Sequence, residues 1–261
     1  MILDEIALYA KQRVKKDKEN INLEDIKKMA YSLPIGEFAF EKALKKSTPS
    51  LICEVKKASP SKGVISKDFP FLDIAKEYEK SGASCISVLT EPKWFLGSDD
   101  IFKEVRKEVS IPLLRKDFTV DEYQIYQAKV MGADCVLLIC ALLSLEDIVK
   151  YINICNELGI NALVETHNAQ EIEKAIKADA KIIGVNNRNL KDFSVNLNNA
   201  SDLRKLIPID VIFVAESGIM SVQDGINLVK SGANSLLIGE ALMKTSDKRK
   251  FISDITEYNY E

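Results

Sequence analysis

From about residue 50 onward the chain repeats one phrase: apolar residues at helical spacing, a stop of small residues, then a short run of aliphatic and β-branched side chains. Ser81-Gly82-Ala83 precedes Cys85-Ile86-Ser87-Val88-Leu89, and Gly132-Ala133 precedes Cys135-Val136-Leu137-Leu138-Ile139. Gly159 precedes Ala162-Leu163-Val164, Ala178-Asp179-Ala180 precedes Ile182-Ile183-Gly184-Val185, and Gly232-Ala233 precedes Ser235-Leu236-Leu237-Ile238. Such glycines suit helix C-termini, where the chain turns left-handed. With residues 51–55, 112–115 and 211–214 there are eight runs, starting roughly every 20 to 35 residues.

Between the runs the spacing predicts helices over 72–80, 98–109, 121–131, 144–158, 169–177, 198–206, 221–230 and 247–254, with Asp121 and Ser144 as N-caps. Strict alternation of strand and helix implies a parallel sheet covered by helices. Eight units favour the α/β fold of a closed (β/α)8 TIM barrel over a doubly wound open sheet. No run is followed by the glycine fingerprint of a dinucleotide fold or by a P-loop. Before the first strand, Leu3, Ile6, Ala10 and Val14 form one helical stripe, and Leu23, Ile26 and Ala30 a second one after the cap Asn22. Residues 1–261 therefore read as one barrel domain, of which 1–48 is an N-terminal helical extension.

The bulk properties remove several classes of function. The 261 residues are 46% apolar, enough for a large core, and the formal charge of −3 supplies no overall basic field for nucleic acid. No apolar stretch approaches the roughly 20 residues that span a bilayer, and the first residues lack a basic flank and cleavage site, so the expected location is cytoplasmic. Five cysteines, with no C-x-x-C pair, read as small buried hydrophobes. The single histidine, His167, is too little for a zinc cluster or a Ser-His-Asp triad, so no metal is expected. It stands two residues after Glu165, either as a site residue or as an ordinary loop-entry histidine.

Candidate chemistry gathers where the runs end. In a barrel, side chains two apart share the inner face and the site lies at the C-terminal strand ends. Alternation points Ile52, Glu54 and Lys56 inward, together with Leu114 and Lys116, Leu163 and Glu165, Gly184 and Asn186, and Val214 and Glu216. Two amines and three carboxylates then converge. Unpaired burial of so many ionisable groups costs several kcal/mol each, so they must pair, shift their pKa or bind a charged ligand. A lysine buried beside another amine is expected to lose its proton more easily.

Ser217-Gly218-Ile219 after the seventh run and Gly239-Glu240-Ala241 after the eighth, each followed by helical sequence, are a candidate phosphate site. Phe95, in Pro92-Lys93-Trp94-Phe95-Leu96-Gly97, either covers a substrate ring or plugs the loop, whereas Trp94 reads as structural. Arg188 lies two after Asn186 and can grip a carboxylate in bidentate fashion.

At this point a family resemblance becomes visible. The chain resembles indole-3-glycerol phosphate synthases over nearly its whole length. The resemblance is carried by Ile2-Leu3-Asp4-Glu5-Ile6, Cys53-Glu54-Val55-Lys56-Lys57-Ala58-Ser59-Pro60-Ser61, Ser87-Val88-Leu89-Thr90-Glu91 and Leu114-Arg115-Lys116-Asp117-Phe118. It continues through Leu163-Val164-Glu165-Thr166-His167, Gly184-Val185-Asn186-Asn187-Arg188-Asn189-Leu190, Ala215-Glu216-Ser217-Gly218-Ile219 and Ile238-Gly239-Glu240-Ala241-Leu242-Met243. It implies a barrel with an N-terminal helical extension and no metal or organic cofactor. The implied reaction converts 1-(2-carboxyphenylamino)-1-deoxyribulose 5-phosphate to indole-3-glycerol phosphate, carbon dioxide and water, in tryptophan biosynthesis.

The resemblance makes Lys116 the general acid, Lys56 the holder of the substrate carboxylate and a possible proton donor, and Glu54 the group that orients Lys56 or acts as a base. It makes Glu165 the acid/base of dehydration and Asn186 a positioner of substrate hydroxyls. Ser59, Ser217, Gly218, Gly239 and Glu240 fall at phosphate-binding positions, Glu240 through its backbone N–H. The expected partner is a small phosphorylated molecule, with no nucleic acid, membrane or obligate protein partner. A phosphoribosylanthranilate isomerase lacks support because the Cys/Asp pair for that isomerisation is missing, and the chain ends too early for a fused second barrel. A catalytically silent phosphate-binding scaffold should have lost some of the polar strand ends, all of which are here.

Overall fold

The computed structural model describes residues 2–46, 49–189 and 193–260. Met1, the expected end of the extension at Thr48, and Leu190 lie outside them. Among the described residues eight parallel strands close into a barrel: β1 (Ser50–Val55), β2 (Cys85–Leu89), β3 (Leu113–Lys116), β4 (Cys135–Ile139), β5 (Asn161–Thr166), β6 (Ile182–Asn186), β7 (Ile212–Glu216) and β8 (Ser235–Ile238). β1 pairs with β2 on one side, Glu54 opposite Ser87, and with β8 on the other, Cys53 opposite Ile238, so neither edge is left open. The (β/α)8 expectation is met.

The period-two reading of the strands also holds. Ile52, Leu114, Leu163, Val214 and Leu237 pack together inside the ring, whereas Leu51, Cys53, Val55, Ile86 and Val88 join the layer between sheet and helices. That outer layer is closed by α4 (Phe71–Lys80), α5 (Asp99–Glu108), α6 (Tyr123–Val130), α7 (Leu145–Leu158), α8 (Ala169–Lys177), α9 (Asn198–Leu203), α10 (Val222–Lys230), α11 (Glu240–Lys244) and α12 (Lys248–Thr256). All five cysteines are free and buried, as their apolar surroundings suggested. No helix among the described residues is long and apolar enough to cross a membrane.

Helix ends differ from expectation where a polar side chain found another partner. Ser144 and Ser221 cap α7 and α10 with reciprocal bonds to Asp147 and Asp224. The helix expected at 121 starts two residues later, and Asp121 caps its first N–H. Its carboxylate accepts the Tyr123 N–H at 2.9 Å and the Lys18 ammonium at 2.7 Å, and α6 begins only at Tyr123. The helix expected over 198–206 is α-helical to Leu203 and then tightens into a 3-10 turn over Arg204–Leu206.

Three helices precede the barrel: α1 (Ile2–Asn20), α2 (Leu23–Ser32) and α3 (Ala39–Lys46). The first two stripes were legible, and Asn22 accepts the Asp25 N–H as the predicted cap. α3 escaped notice because its apolar stripe is short and lies among lysines. Phe40 and Leu44 on it are fully buried and pack with the barrel interior, stoppering the end opposite the candidate site.

Candidate active site

β1, β3, β5, β6 and β7 carry Glu54, Lys116, Glu165, Asn186 and Glu216 within one residue of their C-terminal ends, and ring closure brings these side chains together. Lys116 Nζ lies 3.5 Å from Glu216 Oε2, 3.7 Å from Glu165 Oε2 and 3.9 Å from Glu54 Oε2. Lys56 Nζ donates to Glu54 Oε1 at 2.6 Å, and Ser87 donates to the other oxygen of Glu54 at 3.4 Å. Asn186 Nδ2 donates to Glu165 Oε1 at 3.1 Å. The five candidate catalytic residues thus form one connected group, as their shared inward face predicted.

The expectation of a loosely held lysine proton is overturned. Burial opposes the charge on Lys116, but Glu216, Glu165 and Glu54 outweigh it and raise its pKa. Lys56 spends its charge on Glu54, so the repulsion once expected between the amines is absorbed by a carboxylate lying between them. Burial likewise disfavours Glu54 as an anion, and the two lysines overcome it, lowering its pKa. Glu216 goes the other way: burial and the neighbouring Glu165 and Glu54 raise its pKa despite Lys116. Its Oε1 is buried without a hydrogen bond among the described residues. A Cβ on Gly184 would collide with that oxygen, which is why a glycine stands at this inward position of β6.

A pocket above this group is lined by every candidate binding residue: Ser59, Phe95, Arg188, Glu216, Ser217, Gly218, Gly239 and Glu240. After β1 the loop folds on itself as a two-residue antiparallel ladder, Ala58–Ser59 against Gly63–Val64, which carries Ser59 to the rim. Ser217 (φ 65°) and Gly218 (φ 82°) are both left-handed, giving the tight turn after β7. A Cβ on Gly239 would sit 2.6 Å from Glu54 Oε1 and 2.9 Å from Lys56 Nζ, so the β8 loop must stay bare to clear the acid/amine pair. The Glu240 carboxylate accepts from Lys244 at 2.6 Å. Arg188 donates to the Phe193 carbonyl at 3.1 Å.

Phe95 lines the pocket and packs on Phe118, their rings 5.9 Å apart, whereas Trp94 meets Tyr9 edge-on at 5.6 Å. Their loop is pinned by Glu91, fully buried, whose carboxylate accepts the N–H groups of Lys93, Trp94 and Phe95 at 2.7 to 3.0 Å. Nothing in the motif Ser87-Val88-Leu89-Thr90-Glu91 marks Glu91 for this role, because its partners are backbone groups of the following loop. Sequence reasoning also missed the wall contributed by α1, where Ile2, Leu3 and Ile6 face the pocket. An amphipathic stripe tells which face of a helix is buried but not which end of the barrel it covers. α1 is fastened by Arg13, which grips Asp117 in bidentate fashion at 2.6 and 3.1 Å, and Asp117 directly follows Lys116. His167 lies behind Glu165, its Nδ1 3.1 Å from Glu171 and its Nε2 3.4 Å from Glu165 Oε1.

A closed eight-stranded parallel barrel with acids and amines gathered at its C-terminal strand ends, beside glycines after β7 and β8, places the chain in the TIM-barrel class. Comparison narrows the class. The chain belongs to the indole-3-glycerol phosphate synthase family, whose model matches residues 3–255. It is 54% identical over 248 residues to the indole-3-glycerol phosphate synthase of Ruminiclostridium cellulolyticum, covering 95% of both chains. The enzyme of the same name from Lachnoclostridium phytofermentans is 48% identical over 267 residues, covering 98% of each, and that of Endomicrobium trichonymphae 51% over 248 residues, covering 95% of this chain and 96% of its own.

Proposed function

We propose that this chain closes the indole ring of 1-(2-carboxyphenylamino)-1-deoxyribulose 5-phosphate, releasing carbon dioxide and water and giving indole-3-glycerol phosphate, the tryptophan-pathway reaction of its family. The observation that carries the reading is the Lys116 ammonium ringed by Glu54, Glu165 and Glu216 at the floor of the pocket. Ring closure needs an acid at the ribulose carbonyl, and Lys116, kept charged by three carboxylates, is that acid. Lys56 holds the carboxylate that departs, and Glu54 orients Lys56 through their 2.6 Å ion pair. Arg188 at the rim supplies a second cation for an anionic group.

Loss of the carboxylate as carbon dioxide leaves electrons on the ring carbon, and dehydration then needs an acid for the departing hydroxyl and a base for a carbon-bound proton. Glu165 serves there, with Asn186 fixing one of its oxygens and positioning substrate hydroxyls. Glu216 accepts a substrate hydroxyl. Phe95 and the α1 residues Leu3 and Ile6 cover the aromatic ring and exclude water. The phosphate rests on the backbone of Ser217, Gly218, Gly239 and Glu240 and on the Ser59 hydroxyl. The test is to add the carboxyphenylamino ribulose phosphate and follow indole fluorescence with carbon dioxide release. Absence of both signals, with melting still raised by inorganic phosphate, overturns the reading in favour of a silent phosphate-binding scaffold.

A further inference from the structure

Among the described residues, the buried Nε2 of His167, beside Glu165, has no hydrogen bond. Its nearest acidic neighbour on the site side is Glu165 Oε1 at 3.4 Å. The other ring nitrogen faces Glu171 Oε2 at 3.1 Å, and the same oxygen accepts the His167 backbone N–H at 2.8 Å. Glu171 is itself held by Asn168, whose amide donates to Oε1 at 2.9 Å, so the carboxylate cannot easily swing away. A fixed carboxylate at Nδ1 demands a proton on Nδ1. A neutral imidazole would then turn the lone pair of Nε2 toward Glu165 Oε1, acceptor against acceptor. The contact is favourable only if one proton lies between them, on the imidazole or on the carboxyl group.

We propose that His167 and Glu165 share that proton, which makes His167 the positioning residue through which Glu165 serves as both acid and base in the dehydration step. The inference rests on the function proposed above. In one direction the Nε2–H bond breaks and an O–H bond forms on Glu165, turning imidazolium and carboxylate into imidazole and carboxylic acid with no change in net charge. Glu165 then gives its proton to the departing hydroxyl and regains one from the substrate carbon, and the pair returns to its starting form. His167 touches no substrate in this scheme. Asn186 and His167 both address Oε1, while Oε2 faces Lys116 at 3.7 Å, so the two oxygens of Glu165 have separate duties.

The charged groups facing the imidazole are Glu165 at the end of β5, Glu171 on α8 and Glu216 on β7, with Lys116 on β3 held by Glu165 and Glu216. Burial opposes the imidazolium, and Glu171 and Glu165 outweigh it, raising the pKa above its ordinary value. His167 and Glu171 also line a second cavity, together with Asn168, Asn187 and Asn199.

Because the chain has one histidine, its imidazole gives a single set of 15N resonances in the labelled protein. Expected is protonation at Nδ1 throughout, a pKa above 6.5, and a pKa lowered when Glu165→Gln removes the acceptor. A pKa at or below the ordinary value, or one indifferent to Glu165→Gln, overturns the proposal without any turnover being measured. In kinetics, H167N is expected to lower kcat at least about tenfold with KM and melting temperature kept. H167Q, which places an N–H near Nε2 but cannot release it, is expected to stay equally slow. Wild-type kcat in either variant overturns proton sharing, and H167Q matching wild type while H167N is slow would reduce His167 to a hydrogen-bond prop. Inactivity of the unaltered protein would instead count against the proposed reaction, leaving the titration to judge the pair.

Discussion

Lys116 decides how the site behaves at the scale of single residues. Its identity and inward direction follow from Leu114-Arg115-Lys116 and the strand period, but its state does not, since the three carboxylates around it come from residues 62, 49 and 100 positions away in the chain. Lys116→Met should lower kcat at least about 100-fold in a steady-state fluorescence assay, and near-normal turnover would remove it from the mechanism. Glu165→Gln should reduce kcat with KM largely kept, whereas a mainly KM effect would reassign Glu165 to binding. Glu216 carries a cost for its place. Its pKa is raised on folding, so the folded state binds that proton more tightly than the unfolded one, and its contribution to stability falls as pH rises from the ordinary carboxylate range through the raised value. Glu216→Gln should therefore raise the urea midpoint at pH 8 relative to the parent, do so less near pH 4, and cost activity at both.

Elements impose a second set of constraints, and they are unevenly legible in the sequence. Caps such as Ser144 and Ser221 were legible because the partner is three residues away, and Ser144→Ala should cost about 1 kcal/mol in urea unfolding. α3 was not legible, because its meaning depends on the hole it fills. Phe40→Ala should destabilise by about 3 to 5 kcal/mol, a large value for a residue outside the expected barrel units, and a cost below about 1 kcal/mol would show that the stopper is dispensable. α1 adds a wall to the pocket and is tied to the residue after Lys116 by Arg13. Arg13→Met leaves the buried Asp117 with Arg115, 3.5 Å away, and Thr90, and should cost about 3 kcal/mol while raising KM. An unchanged KM would separate the anchor from the site.

For the molecule as a whole, the buried charges predict the shape of stability against pH. Glu54 and Asp117 have lowered pKa values because lysine and arginine partners outweigh burial, so their contribution is complete above the ordinary carboxylate range and is lost as pH falls through it, below about pH 4. Glu216 acts oppositely on the alkaline side of that range. Chemical denaturation across pH should show a maximum between the two, and the Glu216→Gln variant should have its alkaline flank flattened; an unchanged flank would show that Glu216 is not the group responsible. By itself the sequence determined the eight-beat alternation, the inner and outer face of each strand and the identity of the polar strand ends, because those depend on periods of two and 3.6 residues and on neighbours a few positions apart. Only the tertiary structure decided that Glu54 lies between two lysines, that Lys116 keeps its proton, that α1 walls the pocket and that His167 backs Glu165. Each of these is set by charges and surfaces distant in the chain, whose energies exist only once the ring has closed and excluded water.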